Sequence, residues 1–126
     1  MVEYFQVSTH ENHSIAEKWF QSFINHDLEK LLSLYDENAI HFSPKLLVNH
    51  PETKGLIKGK NELRKWWKES FDKLPTLKYF PELIISEGEN VFMKYKRTVD
   101  GQNDLIVGET LRIVNGLIVE SRVYHS

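Results

Sequence analysis

Residues 105–126 read LIVGETLRIVNGLIVESRVYHS. Two β-rich apolar runs flank Asn115-Gly116, a pair suited to a tight hairpin turn. A strand sends alternate side chains to opposite faces. Leu105, Val107, Leu111 and Ile113 therefore share a face, and Glu109 falls among them. In the second run Leu117, Val119 and Val123 share a face with Ser121 and His125. A buried acid must be paired, protonated or turned to a wet cavity. Apolar strand faces that carry a glutamate, a serine and a histidine read as the lining of a pocket.

Upstream, the spacing predicts an amphipathic helix over Ser14–Ile24, with Ile15, Ala16, Trp19, Phe20 and Phe23 as its apolar stripe. Asn25-His26-Asp27 breaks it, and Asp27 is a natural N-cap for a second helix over Leu28–Leu34, whose face is Leu28, Leu31, Leu32 and Tyr35. Ala39–Ser43 is a short strand stopped by Pro44, with Ile40 and Phe42 on one face and His41 and Ser43 on the other. Lys45–Gly59 reads as a loop whose Leu46, Leu47 and Val48 either fold over something or plug the core edge. Lys60–Leu74 is the clearest helix, with Leu63, Trp66, Trp67, Phe71 and Leu74 at helical spacing and Lys, Arg and Glu opposite.

After Pro75 the pattern turns to β. Thr76–Glu87 alternates loosely around Pro81, which suggests an edge strand or a bulge. Val91–Val99 alternates cleanly, with Val91, Met93, Tyr95, Arg97 and Val99 on one face. Pairing Val99 with Leu105 sets Tyr95 opposite Glu109 and keeps the apolar positions together. For the last hairpin, a three-residue loop with Gly116 left-handed pairs Ile113 with Leu117 and Glu109 with Ser121. A plain two-residue turn puts Glu109 opposite Arg122 and spoils the apolar face, so the three-residue loop is expected.

Composition narrows the class. A chain of 126 residues, 40% hydrophobic and 27% charged, suits one domain with one core. A formal charge of −2 argues against nucleic acid as partner. There are no cysteines, so disulfides and thiolate chemistry are excluded, in keeping with a cytoplasmic location. No apolar run approaches the length of a membrane span. Residues 1–12 are polar and acidic, unlike a signal peptide, and read as a flexible lead-in to the domain.

Several segments resemble the SnoaL-like and ketosteroid-isomerase-like branch of the nuclear-transport-factor-2-like superfamily. They are Asp27-Leu28, Leu34-Tyr35-Asp36-Glu37-Asn38-Ala39, Gly59-Lys60, and Glu109-Thr110-Leu111-Arg112-Ile113 through Asn115-Gly116 to Ile118-Val119-Glu120. The resemblance implies an α+β cone, a curved antiparallel sheet wrapped around three N-terminal helices with an internal pocket, and a homodimer through the outer sheet face. The fold hosts isomerases, cyclases, dehydratases, hydrolases and non-catalytic binders. Of the isomerase's three functional residues, the base before the first strand's proline aligns with Ser43 and the first-helix tyrosine with Trp19. Only the inward acid keeps its kind, as Glu109. A steroid isomerase of that mechanism is not expected.

The inner face implied by the resemblance gathers Trp19, His41, Ser43, Tyr95, Arg97, Glu109, Ser121 and His125, walled by Phe23, Trp66, Trp67, Phe71, Val107 and Val123. A carboxyl in an apolar cavity has its pKa raised toward neutrality, as a general acid or base requires. One reading is a cofactor-free isomerase, cyclase or dehydratase acting on a small apolar carbonyl or hydroxyl compound. In it Glu109 is the acid–base, His41 or His125 shares the proton, and Tyr95 donates a hydrogen bond. The other reading is a non-catalytic module that binds an apolar small molecule or dimerises, with Glu109 satisfied by Tyr95 or paired with Arg97. His41, Glu109 and His125 match no recognised metal-ligand spacing, so no metal is expected.

Overall fold

Asn115 and Gly116 both have positive φ, +51° and +79°, and form a two-residue turn in which Val114 pairs with Leu117. This overturns the expected three-residue loop, which would pair Ile113 with Leu117. The apolar face survives because the ladder slips immediately after the turn. Ile113 pairs with Ile118 but Arg112 with Glu120, leaving Val119 as a bulge. Below the bulge Leu111 faces Ser121 and Glu109 faces Val123, not Ser121. Ile118, of opposite parity to Leu117, Val119 and Val123, is fully buried.

The computed structural model describes the backbone of residues 2–125 and the side chains of residues 10–124. In chain order the elements are α1 (Val2–Ile24), α2 (Leu28–Ser33), β1 (Tyr35–Phe42), α3 (Pro44–Asn49), a single 3-10 turn (Pro51–Thr53), β2 (Leu56–Lys58), α4 (Lys60–Lys73), β3 (Lys78–Glu87), β4 (Asn90–Thr98), β5 (Leu105–Val114) and β6 (Leu117–His125). The six strands form one sheet in the order β2-β1-β6-β5-β4-β3. It is antiparallel except where β1 lies parallel to β6, a departure from the all-antiparallel expectation.

Several boundaries move. Helix α1 runs back to Val2 instead of starting at Ser14, and Asn12, buried on it, donates Nδ2–H to the Gly88 carbonyl at the turn between β3 and β4. Tyr35 leaves the second helix and opens β1, because its backbone pairs with Ile118 of β6. The expected loop 45–59 holds α3, the 3-10 turn and β2. Ser43 caps α3 by accepting Leu46 N–H at 3.3 Å, with Pro44 in the first turn where no amide hydrogen is needed. On β4 and β5 the register is two residues from the expected one: Tyr95 pairs with Val107 and Met93 with Glu109. An even shift keeps every side chain on its face. Strand β3 is an edge strand with a register break between Pro81 and Leu83, as its proline suggests.

The core lies between the sheet's inner face and the helices. Trp19, Phe20 and Phe23 of α1 meet Leu31 and Leu32 of α2, Leu63 and Trp67 of α4, and Val91, Met93, Tyr95, Val107 and Leu111 of the sheet. Each large apolar side chain taken fully from water contributes about 1.5–3 kcal/mol. Arg64 pairs with Glu29 and ties α4 to α2 at the surface. On the outer face Phe80, Leu83, Ile85, Phe92 and Tyr124 are exposed. Gly108 lies beneath Phe92, where an added methyl would meet the ring at 3.3 Å. Among the described residues no helix is long and apolar enough to cross a membrane.

Candidate functional site

The inner face of β4 and β5 sets Tyr95 and Glu109 side by side on adjacent strands. Tyr95 donates its hydroxyl hydrogen to Glu109 Oε1 at 2.7 Å. Both residues are buried, at 1% and 2% exposure, and Glu109 Oε2 has no hydrogen-bond partner. Burial pushes the Glu109 carboxyl up to about 8, against a smaller downward pull from the Tyr95 hydrogen bond. Tyr95 is itself held well above the usual phenol range by burial and by Glu109. Tyr79 of β3 lies against the Tyr95 ring, centroids 4.3 Å apart. The alternative partner weighed from the sequence, Arg97, instead gives its guanidinium to Gln102 at 3.2 Å. Among the described residues no ion pair links Arg97 to Glu109.

These groups face a cavity of about 790 Å³. It lies between the inner sheet face, α4 and the segment from Ser43 to His50. Of the residues singled out in the sequence, Phe23, His41, Ser43, Trp66, Trp67, Tyr95, Arg97, Val107, Glu109 and Val123 line it. Three do not. Trp19 lies behind the wall, its ring 5.8 Å from Tyr95. Phe71 is turned onto His26, stacked at 4.7 Å, and that imidazole donates Nε2–H to the Leu77 carbonyl. Ser121 is fully buried beneath His41. The backbone of His125 pairs with Val107, and its side chain lies outside the described residues.

On β1 the face left open by the sequence is settled: His41 and Ser43 point inward, at 4% and 6% exposure. His41 Nδ1 is 2.6 Å from Ser121 Oγ, Ser121 accepts from Tyr35 O–H at 3.0 Å, and Tyr35 accepts from the Trp19 indole N–H at 3.1 Å. Burial lowers the His41 pKa to about 4, so the ring is neutral near pH 7. Lys45, Asn49, His50, Glu69, Lys73 and Gln102 also line the cavity, and the Lys73 ammonium beside Glu69 lowers that carboxyl's pKa.

Sequence reasoning missed Tyr35 and Tyr79. Tyr35 fits the apolar spacing of the second helix, and only its pairing with β6 turns it inward. Tyr79 sits on the loosely alternating strand whose face Pro81 obscured. An aromatic residue two positions before that proline was the available signal.

The arrangement supports two chemical acts. A protonated Glu109 can donate from Oε2, which has no other partner, while Oε1 accepts from Tyr95. Its carboxylate form can accept a proton from the same side. Aromatic rings around these groups keep the dielectric low and favour an apolar occupant.

The model of the SnoaL-like domain family matches residues 16–121. A search of curated protein sequences returns no match. Among solved structures, the chain is similar to a SnoaL-like protein of unknown function from Burkholderia thailandensis, with 19% identity over 93% of this chain and 95% of that one, at a TM-score of 0.82. A candidate ketosteroid isomerase from Kribbella flavida aligns at 18% identity over 94% of this chain and 80% of that one, with a TM-score of 0.78. TerC, co-crystallised with polyporic acid, aligns at 16% identity over 92% of each chain, with a TM-score of 0.79. At such identities these likenesses show the fold, the nuclear-transport-factor-2-like cone read from the sequence. With most of its length matched by the family model, the chain belongs to the SnoaL-like domain family.

Proposed function

We propose that this chain takes a small, largely apolar carbonyl or hydroxyl compound into the cavity and moves a proton on it through Glu109, as a cofactor-free isomerase, cyclase or dehydratase. The observation that carries the reading is the state of Glu109: one carboxyl oxygen held by Tyr95, the other unpartnered, in a cavity with aromatic walls. With the carboxyl pushed up to about 8, roughly one molecule in ten is ionised at pH 7. The acid form predominates and the base form stays within reach. Tyr95 holds the carboxyl in place. The neighbours named as a candidate ketosteroid isomerase and as a protein holding polyporic acid agree with a small organic ligand in this fold.

The test is hydrogen exchange at the carbon next to the carbonyl of 2-tetralone in heavy water, followed by proton NMR. Wild-type protein should accelerate the exchange. Glu109→Gln should lose about 10²–10⁴-fold of that acceleration, the usual worth of a general base. No acceleration by wild type leaves the second reading, a non-catalytic binder. That reading is favoured by Ser43, whose hydroxyl oxygen is engaged as the cap of α3 where the isomerase has its base. Homodimerisation through the outer sheet face belongs to the same proposal and rests on the exposed Phe80, Leu83, Ile85, Phe92 and Tyr124. Sedimentation at the mass of one chain would remove it.

A further inference from the structure

Four buried side chains outside the Glu109 pair form a chain of hydrogen bonds. The indole Nε1–H of Trp19 is a donor only. Tyr35 therefore accepts at 3.1 Å, and its single hydrogen goes to Ser121 Oγ at 3.0 Å. Burial and the Glu109 charge hold the Tyr35 phenol far up, so that hydrogen stays on it. Ser121 now has one hydrogen to give, and the neighbour at 2.6 Å is His41 Nδ1.

We infer that this chain fixes His41 with Nδ1 as acceptor and the ring hydrogen on Nε2, making His41 a hydrogen-bond donor to whatever occupies the cavity. The ring lines the cavity and bonds to Ser121 through Nδ1, which leaves Nε2–H for the occupant. In a neutral imidazole one nitrogen donates and the other accepts, and the partner of one decides the role of the other. Because burial keeps the ring neutral down to about pH 4, Nδ1 does not regain a hydrogen by protonation near neutrality. The occupant must bring a lone pair to His41, as a carbonyl, ether or enolate oxygen does. A group offering only an N–H would meet donor against donor, whereas a hydroxyl can turn its oxygen to Nε2–H. Trp19, Tyr35 and Ser121 are positioning residues in this scheme, since they act through His41.

This deepens the proposed function but is tested without it. Protein labelled with ¹⁵N-histidine, free of any added compound, is studied by long-range ¹H–¹⁵N correlation at pH 7. The expected result for His41 is a single tautomer, with Nδ1 bare and Nε2 carrying the hydrogen. Ser121→Ala should move the Nδ1 resonance or mix the tautomers, and Ser121→Thr, which keeps the hydroxyl, should restore the wild-type pattern. A hydrogen on Nδ1 in the wild type overturns the inference, as does a His41 pattern that Ser121→Ala leaves unmoved. If Ser121→Ala does not fold, the wild-type and Ser121→Thr spectra still decide the tautomer. Glu109→Gln should leave the pattern intact, so loss of proton transfer on 2-tetralone and loss of the fixed tautomer are separate outcomes.

Discussion

Tyr95 and Glu109 lie on neighbouring strands but are not directly paired across the ladder, since Tyr95 faces Val107 and Glu109 faces Met93. Their side chains meet on the diagonal, at 2.7 Å from hydroxyl to carboxyl. The diagonal contact satisfies Oε1 and leaves Oε2 bare, and burial makes the carboxyl's ionisation costly.

Glu109→Gln should therefore stabilise the protein at high pH. From about pH 4.5 to about pH 8 the unfolded chain has lost this proton while the folded chain keeps it, so stability falls as the pH rises. The amide variant has no proton to lose. Urea unfolding at pH 8.5 should show the variant more stable by on the order of a few kcal/mol, with little difference below pH 4.5.

His41 works in the opposite direction. Its folded pKa of about 4 lies below the ordinary 6.5, so in that window the unfolded chain holds an extra proton and stability rises with pH. The contributions of His41 and Glu109 offset each other from about pH 4.5 to 6.5, and Glu109 alone acts from 6.5 to 8. Thermal unfolding of the wild type should run level through the first window and decline through the second. In Glu109→Gln the first window should slope upward and the decline should vanish.

Tyr95→Phe removes the hydrogen bond that holds the Glu109 pKa down. The carboxyl should titrate higher still, which carbon-detected NMR of the Glu109 carboxyl would show. The stability cost should be largest above pH 8, at about 1–3 kcal/mol for a charge left without its donor.

Gly55→Ala should destabilise by about 1–3 kcal/mol in chemical denaturation. The backbone there has φ +75°, and the added carbon would stand 2.7 Å from the Phe42 ring and 3.0 Å from the Ser43 carbonyl. Gly101→Ala, at φ +82° with open space around it, carries the backbone strain alone and should cost less.

How much of this was legible follows from what each signal depends on. Helix α4 and the faces of β4 and β5 could be read directly, because a period of 3.6 or 2 is a local property of the sequence. Glu109 could be read as an inward acid from parity alone. Ladder register could not, because shifts by two leave parity untouched. The pattern favours the three-residue loop over the tight Asn115-Gly116 turn because the bulge after that turn has no local signal, and that bulge depends on Ile118 finding the core. Helix α3 had a readable start in Ser43-Pro44, a cap followed by a first-turn proline. The hydrogen-bonded chain from Trp19 to His41 could not have been read, since it joins residues on α1, β1 and β6 that only the tertiary fold brings together.

Val119 gives strand β6 one residue of slack. Removing it would let Ile118 run straight on to Glu120 in an unbroken ladder, with Ser121 still opposite Leu111 and still under His41. What would go is the local bend that a bulge imposes. Removing a residue between Ser121 and Val123 has the reverse outcome, because it exchanges the inner and outer sides of everything that follows. Tolerance to changes of length in this hairpin is therefore concentrated at one position, and the wall carrying Val123 depends on every residue after it being counted in full.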